Sequence, residues 1–421
     1  MLKISSKKLL IVTDSINHED SSGSKANVAF IKSLVVSGYE VIVIHYTQRE
    51  IQIEGATCLL AKQRKNNLFY ILGGIQRTVQ RNLDVNWSVF LENKFGFSFT
   101  FFNDSKSIVK TLERFRITDF DLIITLSKGE SFRPHHALLQ IPNLHDKWLA
   151  YVHDPYPFQN YPRPYTFVPK GAKQKDYFFQ KVAFHCKFAS FPSRLLADHM
   201  AGFYPEFKEK SVVIPHQYDN VISGVSLPSF FMEGAFNIVH TGNLIGGRSP
   251  EGLLKGFQLF LESQKIAKQE SYLYLVGPSS NYRELMSSYE HAPQFIFHPG
   301  VSYAESLALQ EAASVNLIIE ASDTDFSPFL PAKMAHCVMV DKPILALSPK
   351  KSEVRRLLGE DYLWQSDADD SKQIARILSE LYLKWENTKA ESWHLNRTDL
   401  QDYFSSAFLN KQIQNLLNAS A

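Results

Sequence analysis

The sequence predicts an α/β protein made of two successive doubly wound parallel-sheet halves, and three observations carry that expectation. Short apolar runs of four to six residues alternate with amphipathic stretches along most of the chain; such runs suit buried parallel strands and are too short for helices. The alternation restarts after PHQYDNVISGVSLPSFFMEGA, a segment rich in Pro, Gly and Ser that reads as a linker. Residues with useful chemistry gather just after the apolar runs, where ligands bind in open α/β sheets.

The first half opens with the strand Leu9 to Thr13, a polar loop from Asp14 to Ser24, an amphipathic helix from Lys25 to Ser37 and the strand Val41 to His45. Gly38 stops the helix, and the whole is a βαβ unit. The loop ends in SSGSK, where Gly23 and Ser24 bring free N–H groups to a helix start. The spacing is neither GxxxxGK[ST] nor GxGxxG, so the residues alone leave a tight turn and a substrate loop both open. Lys, Arg and aromatics crowd the stretch from Ala61 to Arg116. It reads either as helices with solvated basic faces and a Phe-rich core, or as a surface for an anionic membrane interface. DLIITL (Asp121 to Leu126) and WLAYV (Trp148 to Val152) are further strands, the second running into His153-Asp154. His153 is a substrate contact or a satisfied histidine at the sheet edge. The adjacent His135 and His136 point different ways and lack a third ligand, so no metal is expected there. YPFQNYPRPY is a proline-punctuated loop suited to shaping an acceptor pocket. Phe188 to Phe191 and Ser211 to Ile214 complete the half, with Ser193 capping a helix between them.

The second half starts with strand FNIVH (Phe236 to His240), loop TGNLIGGRSP and helix EGLLKGFQLFLESQ. In that loop Gly242, Gly246 and Gly247 let the backbone approach a ligand, and Arg248 adds a fork of donors; a plain flexible turn is the alternative. YLYLVG stops at Gly277, and QFIFHPG leads through Gly300 and Val301 into another helix. The richest stretch follows: VNLIIEASDTDFSPFLPAKMAHCVMVDKPILAL, with strands at Val315 to Ile319 and Pro343 to Leu347. Pro331 can start the helix between them, and Lys333 and His336, three apart, share one of its faces. A helix N-terminus carries roughly +0.5 of a charge, so Lys333 beside it suits a phosphate.

The pattern apolar strand, SPF-x-P-x-K, short helix, KPILAL resembles the C-terminal nucleotide-sugar site of GT-B glycosyltransferases, especially the large retaining family four. The resemblance implies two Rossmann-like domains facing each other across a cleft, residues 1–218 and 219–398, with a helix over 399–421 crossing back to the first. It implies transfer of a sugar, a hexose by expectation, from a nucleotide diphosphate to a hydroxyl of a glycan or lipid-linked acceptor, in cell-surface polysaccharide or glycoconjugate synthesis. Arg248 and Lys333 are then expected to stabilise the leaving diphosphate, Asp325 or Asp323 to contact the transferred sugar and His153 to serve the reaction from the acceptor half. Donor contacts are expected at Gly23, Ser24, Gly242, Asn243, Gly277 and Ser327, with Gly300 and Val301 near the base and His336 near the ribose. His336 stands where the family carries a carboxylate. That departure keeps two rivals in view, a sugar-nucleotide epimerase of the same fold and a non-catalytic partner subunit.

Asp323-Thr324-Asp325 spells DxD, and two such carboxylates can chelate a divalent ion. Here Lys and Arg already serve the phosphates, so neither metal nor any cofactor beyond the donor substrate is expected. The balance of 45 Lys and Arg against 43 Asp and Glu over 421 residues, net +2, argues against nucleic acid as a partner. Cys58, Cys186 and Cys337 are scattered without CxxC spacing, which fits a reducing compartment. LLIV after Lys8 is too short for a signal-peptide core, and no apolar run approaches the ~18 residues of a membrane span. The expected location is the cytoplasm, with peripheral contact at the inner face of the membrane.

Overall fold

The structure, a computed structural model, describes residues 7–83, 87–165, 167–218, 225–388 and 393–420. The chain divides into two compact units: Met1–Tyr161 with Thr166–Asp219 and Ser405–Ala421, and Pro162–Tyr165 with Asn220–Phe404.

The first unit is built on seven parallel strands: β1 (Lys8–Thr13), β2 (Glu40–His45), β3 (Ala56–Leu60), β4 (Leu122–Leu126), β5 (Trp148–Tyr151), β6 (Phe188–Phe191) and β7 (Ser211–Val213), ordered β3-β2-β1-β4-β5-β6-β7. All five residues of β4 are buried. Helices cover both faces of such a sheet, which is why its central strands read as unbroken apolar runs. Sequence reasoning passed over β3, the half-exposed edge strand ATCLL. Helix α1 (Ser22–Val36) begins before the expected Lys25 because the Ser21 side chain caps it, accepting from Ser24 N. The C-terminal helix Ser406–Ser420 packs beside it, and Tyr39 Oη donates to Asn410 Oδ1 at 2.7 Å.

The stretch rich in basic and aromatic residues forms α2 (Leu68–Leu83), α3 (Trp87–Phe95) and α4 (Phe99–Leu112). Phe97 and Phe101 stack with centroids 4.0 Å apart and anchor the segment to the core. Leu68, Ile71 and Ile75, by contrast, are at least half exposed. α5 (Arg133–Leu138) and α6 (Ala172–His185) follow.

The second unit holds a parallel sheet of β8 (Phe236–Thr241), β9 (Ser271–Val276), β10 (Phe295–His298), β11 (Val315–Ile319), β13 (Ile344–Leu347) and β15 (Gln365–Ser366), ordered β10-β9-β8-β11-β13-β15. A small parallel pair, β12 (Phe326–Ser327) and β14 (Lys351–Ser352), sits apart. Helices Glu251–Ser263 and Ser371–Thr388 pack closely, as Gly256 shows: a Cβ there would lie 2.7 Å from Ile374 Cγ2. In both sheets the strand order reverses beside the first strand of the unit, between β1 and β4 and between β8 and β11. At such a reversal the loops beyond the carboxyl ends diverge and leave a crevice.

Candidate functional site

At the β8–β11 reversal the backbone turns sharply after Thr241. Gly242 N donates to Val276 O at 2.8 Å and Leu244 N to Pro278 O at 2.9 Å, tying this loop to the one after β9. Gly242 and Gly277 have φ of 138° and 145°, a region that disfavours side chains. A Cβ on Gly277 would lie 2.3 Å from Gly242 O, and one on Gly242 would lie 3.2 Å from Lys333 Nζ. Glycine here therefore lets the Lys333 ammonium lie against bare backbone.

Lys333 heads a short helix, Lys333–Met339, two residues later than Pro331 suggests. Its Nζ lies 3.1 and 3.2 Å from the ring nitrogens of His240. His240 Nδ1 lies 3.3 Å from Leu317 O. A carbonyl only accepts, so Nδ1 carries the ring proton and Nε2 is left to accept from the ammonium. Burial, reinforced by Lys333, holds His240 well below its ordinary range and so neutral. Burial likewise pushes Lys333 down to about 7, with repulsion from Arg248 adding to the fall.

Glu320 follows β11 directly and is buried. It accepts a hydrogen bond from Ser327 Oγ, whose strand pairs Ser327 with Ser352. Burial pushes its carboxyl up to about 7 against the opposing pull of those serines and of Arg248. Arg248, Tyr165, Glu320, Ser327 and Phe329 line one small cavity. Arg248 thus faces Glu320 and acts on Lys333, and the three form a compact polar site. A carboxyl poised near neutrality can hold or release a proton there, while the two cations suit an anionic ligand.

Asp325 is exposed, and its backbone carbonyl accepts from Lys351 N at 3.1 Å. Asp323, its partner in the DxD triplet, lies against Gly247, where a Cβ would come within 2.3 Å of Asp323 Oδ1. Among the described residues no group of three His, Cys, Asp or Glu is arranged to hold a metal ion. The carboxylate grouped with Arg248 is Glu320, signalled in sequence only by its position directly after an apolar strand.

His336 is 5% exposed, and its Nδ1 lies 2.8 Å from Gln310 Oε1. The Gln310 amide donates to Thr241 Oγ1 at 2.6 Å, so Oε1 is the accepting end and His336 donates. His336 is thereby built into the packing below the loop. Burial, rather than Lys333, holds its pKa down to about 4. Ser327 is turned to Glu320, and Asn243 is exposed on the Gly242 loop. Gly300 and Val301 follow β10 at the sheet edge, with Val301 packed against an apolar cluster.

In the first unit, His153 lies in a polar lock at the β1–β4 reversal. Asn27 Nδ2 donates to Thr13 Oγ1 (3.1 Å) and Ser127 O (3.2 Å), while its Oδ1 receives His153 Nε2 at 2.8 Å. His153 also stacks on His216, and burial, then His216, keeps it below its ordinary range. Gly23 lies in the first turn of α1 against Lys128, and Ser24 is buried in the cap. These residues sit in a different unit from Arg248 and Lys333.

No protein-family model matches the sequence, and no curated protein matches it. Solved structures do. A glycosyltransferase from Rickettsia africae superposes with a TM-score of 0.60 at 12% identity, covering 99% of each chain. HepE of Anabaena, in complex with UDP and glucose, gives 0.57 at 12% identity over 98% of this chain and 100% of that one. A UDP-forming α,α-trehalose-phosphate synthase from Burkholderia vietnamiensis gives 0.58 at 11% identity over 99% and 97%. The chain has the GT-B fold. In this GT-B chain Glu320, Lys333 and His240, all displaced from their ordinary acid–base range, stand at the carboxyl ends of β11 and β8 and on the helix beside them.

Proposed function

We propose that the protein is a glycosyltransferase that uses a nucleotide-diphosphate sugar, with the donor diphosphate held between Arg248 and Lys333 over the Gly242–Gly277 backbone. One observation carries this reading. Two cations and a carboxyl poised near neutrality meet at a glycine-lined turn, at the topological reversal where α/β sheets bind ligands. UDP is the favoured nucleotide, because the Anabaena relative of the same fold is in complex with UDP and glucose. The leaving diphosphate gains charge during transfer, and fixed cations in a half-buried site stabilise that charge more than they stabilise the bound donor. Retention of configuration, transfer of a hexose and a role in cell-surface polysaccharide or glycoconjugate synthesis belong to the same proposal. So does independence of metal, since the two cations supply the neutralisation.

The proposal extends to a cytoplasmic protein with peripheral membrane contact. α2 exposes Leu68, Ile71 and Ile75 beside Arg77 and Arg81, an arrangement suited to an anionic lipid surface. Among the described residues no helix is long and apolar enough to cross a membrane. The deciding experiment is a thermal-shift screen of UDP-, GDP- and ADP-sugars followed by transfer assays with those that stabilise. Stabilisation by none of them would refute the donor site.

A further inference from the structure

The first unit contains a cavity of about 290 Å³ that the donor chemistry does not use. Its walls are fixed by close backbone packing. Gly171 N donates to Asn93 Oδ1 at 3.0 Å, and a Cβ on Gly171 would lie 2.1 Å from Glu92 O, so the start of α6 is pressed onto α3. That volume lies at the small end of the roughly 300–1,000 Å³ usual for ligand sites and suits one sugar ring. Phe97, Phe101 and Phe158 give part of the lining an aromatic character. Aromatic faces pack well on the C–H faces of pyranoses because both surfaces are flat and apolar.

The polar part of the lining decides what such a ring can carry. Arg133 is already engaged by Asp104 at 3.0 Å and lies 4.0 Å from Asp14; Lys175 lies 3.8 Å from Glu92. Both cations of the lining are therefore matched by carboxylates, and Glu130 remains over at the exposed rim. A phosphate brought here would meet that excess carboxylate and find each cation already committed. Hydroxyl and ammonium groups would instead find acceptors. Tyr156 adds a donor: it is 2% exposed, lines the cavity, and its hydroxyl has no hydrogen-bond partner among the described residues. Burial and nearby Glu130 keep that phenol protonated, and an unpaired buried hydroxyl is costly unless something fills the role.

We infer that this cavity is the acceptor subsite and that it takes an unphosphorylated sugar ring, neutral or amino-bearing, while rejecting a sugar phosphate. The word acceptor rests on the glycosyltransferase reading above; the preference against phosphate rests on the cavity alone. The test is saturation-transfer NMR with glucose, galactose, glucosamine and glucose 6-phosphate, on wild type, Phe158→Ala and Glu130→Lys. At least one unphosphorylated sugar should bind wild type ten-fold or more tightly than glucose 6-phosphate. Phe158→Ala should weaken that binding at least ten-fold, and Glu130→Lys should raise the affinity for glucose 6-phosphate. Equal binding of glucose 6-phosphate, no binding of any unphosphorylated sugar, or indifference to Phe158→Ala would overturn the inference. Stabilisation by UDP-glucose, measured in parallel, should be the same in all three proteins. Its absence while a sugar still binds would overturn the glycosyltransferase reading and leave the cavity a sugar site without an acceptor role.

Discussion

Raising the pH from about 6 to about 8 should weaken binding of UDP-glucose by about ten-fold, and Lys333 is the reason. Burial sets its ammonium at about 7 in the free protein, so it is largely charged at the lower pH and about one molecule in eleven is charged at the higher. The donor's diphosphate is esterified at both ends and keeps its charge over this window, so the ligand adds no titration of its own. Binding the dianion restores the ammonium, and taking up that proton one unit above the pKa costs about 1.4 kcal/mol. The groups around Lys333 must be separated from it. His240 is held well below its ordinary range and stays neutral throughout. Glu320, poised at about 7 opposite Arg248, loses a proton in the same window and weakens dianion binding in the same direction. Glu320→Gln removes that contribution and leaves the slope due to Lys333. The assay is calorimetry in buffers of different ionisation heat, which reports proton uptake together with affinity. Wild-type binding that ignores pH, or a slope that survives Lys333→Met in the Glu320→Gln background, would refute the argument.

Three further outcomes follow from the same geometry. Arg248→Ala should lower turnover at least ~10-fold, a loss of about 1.4 kcal/mol or more of transition-state stabilisation, with the urea midpoint of unfolding nearly unchanged; wild-type kcat would remove Arg248 from the site. Transfer should persist in excess chelator, whereas complete loss with EDTA and rescue by manganese would give Asp323 and Asp325 a metal-binding role. His336→Ala should destabilise folding by about 1–3 kcal/mol, because it leaves the buried Gln310 carbonyl only the weak Cys337 thiol donor at 3.5 Å, and His336→Glu should do at least as much harm by burying a carboxylate against that same oxygen. Urea unfolding of both variants checks this, and a His336→Glu protein that is stable and binds UDP-sugar more tightly would return His336 to the donor ribose.

The strands were legible because a parallel sheet covered on both faces needs nearly every residue of its central strands to be apolar: β11 falls on Val315–Ile319, where the run VNLII placed it. The edge strand β3 was not, because only one of its five residues is fully buried and the periodic signal disappears. The second-unit loops were legible as glycine-rich, but not the reason for each glycine. Gly242 and Gly277 answer to each other across two loops, and Gly256 answers to a helix more than a hundred residues later. Such pairings are set by tertiary contact and leave no local trace.

Candidate side chains divided along the same line. Lys333 and Arg248 stand out in the sequence because a cation beside a glycine-rich turn or a helix start has a local reading. Asp325 stands out in the sequence and Glu320 does not, since a DxD triplet in a polar loop looks more like chemistry than a lone acid closing an apolar strand. Burial reverses that order. Asp325 is exposed, whereas Glu320 is buried among Ser327, Ser348 and Ser352, and that burial lifts its carboxyl to about 7. The same logic separates the histidines. His336 and His153 looked alike as polar residues at strand or helix ends, yet each is bonded to an amide oxygen, on Gln310 and Asn27, that orients it, and burial keeps each neutral. His240 alone among the three meets a cation, and its neutral ring is what lets the Lys333 ammonium sit within hydrogen-bond reach. Protonating His240 would set two positive charges about 3 Å apart, so the pair can hold one proton beyond the neutral ring, and that proton stays on Lys333, where a diphosphate can use it.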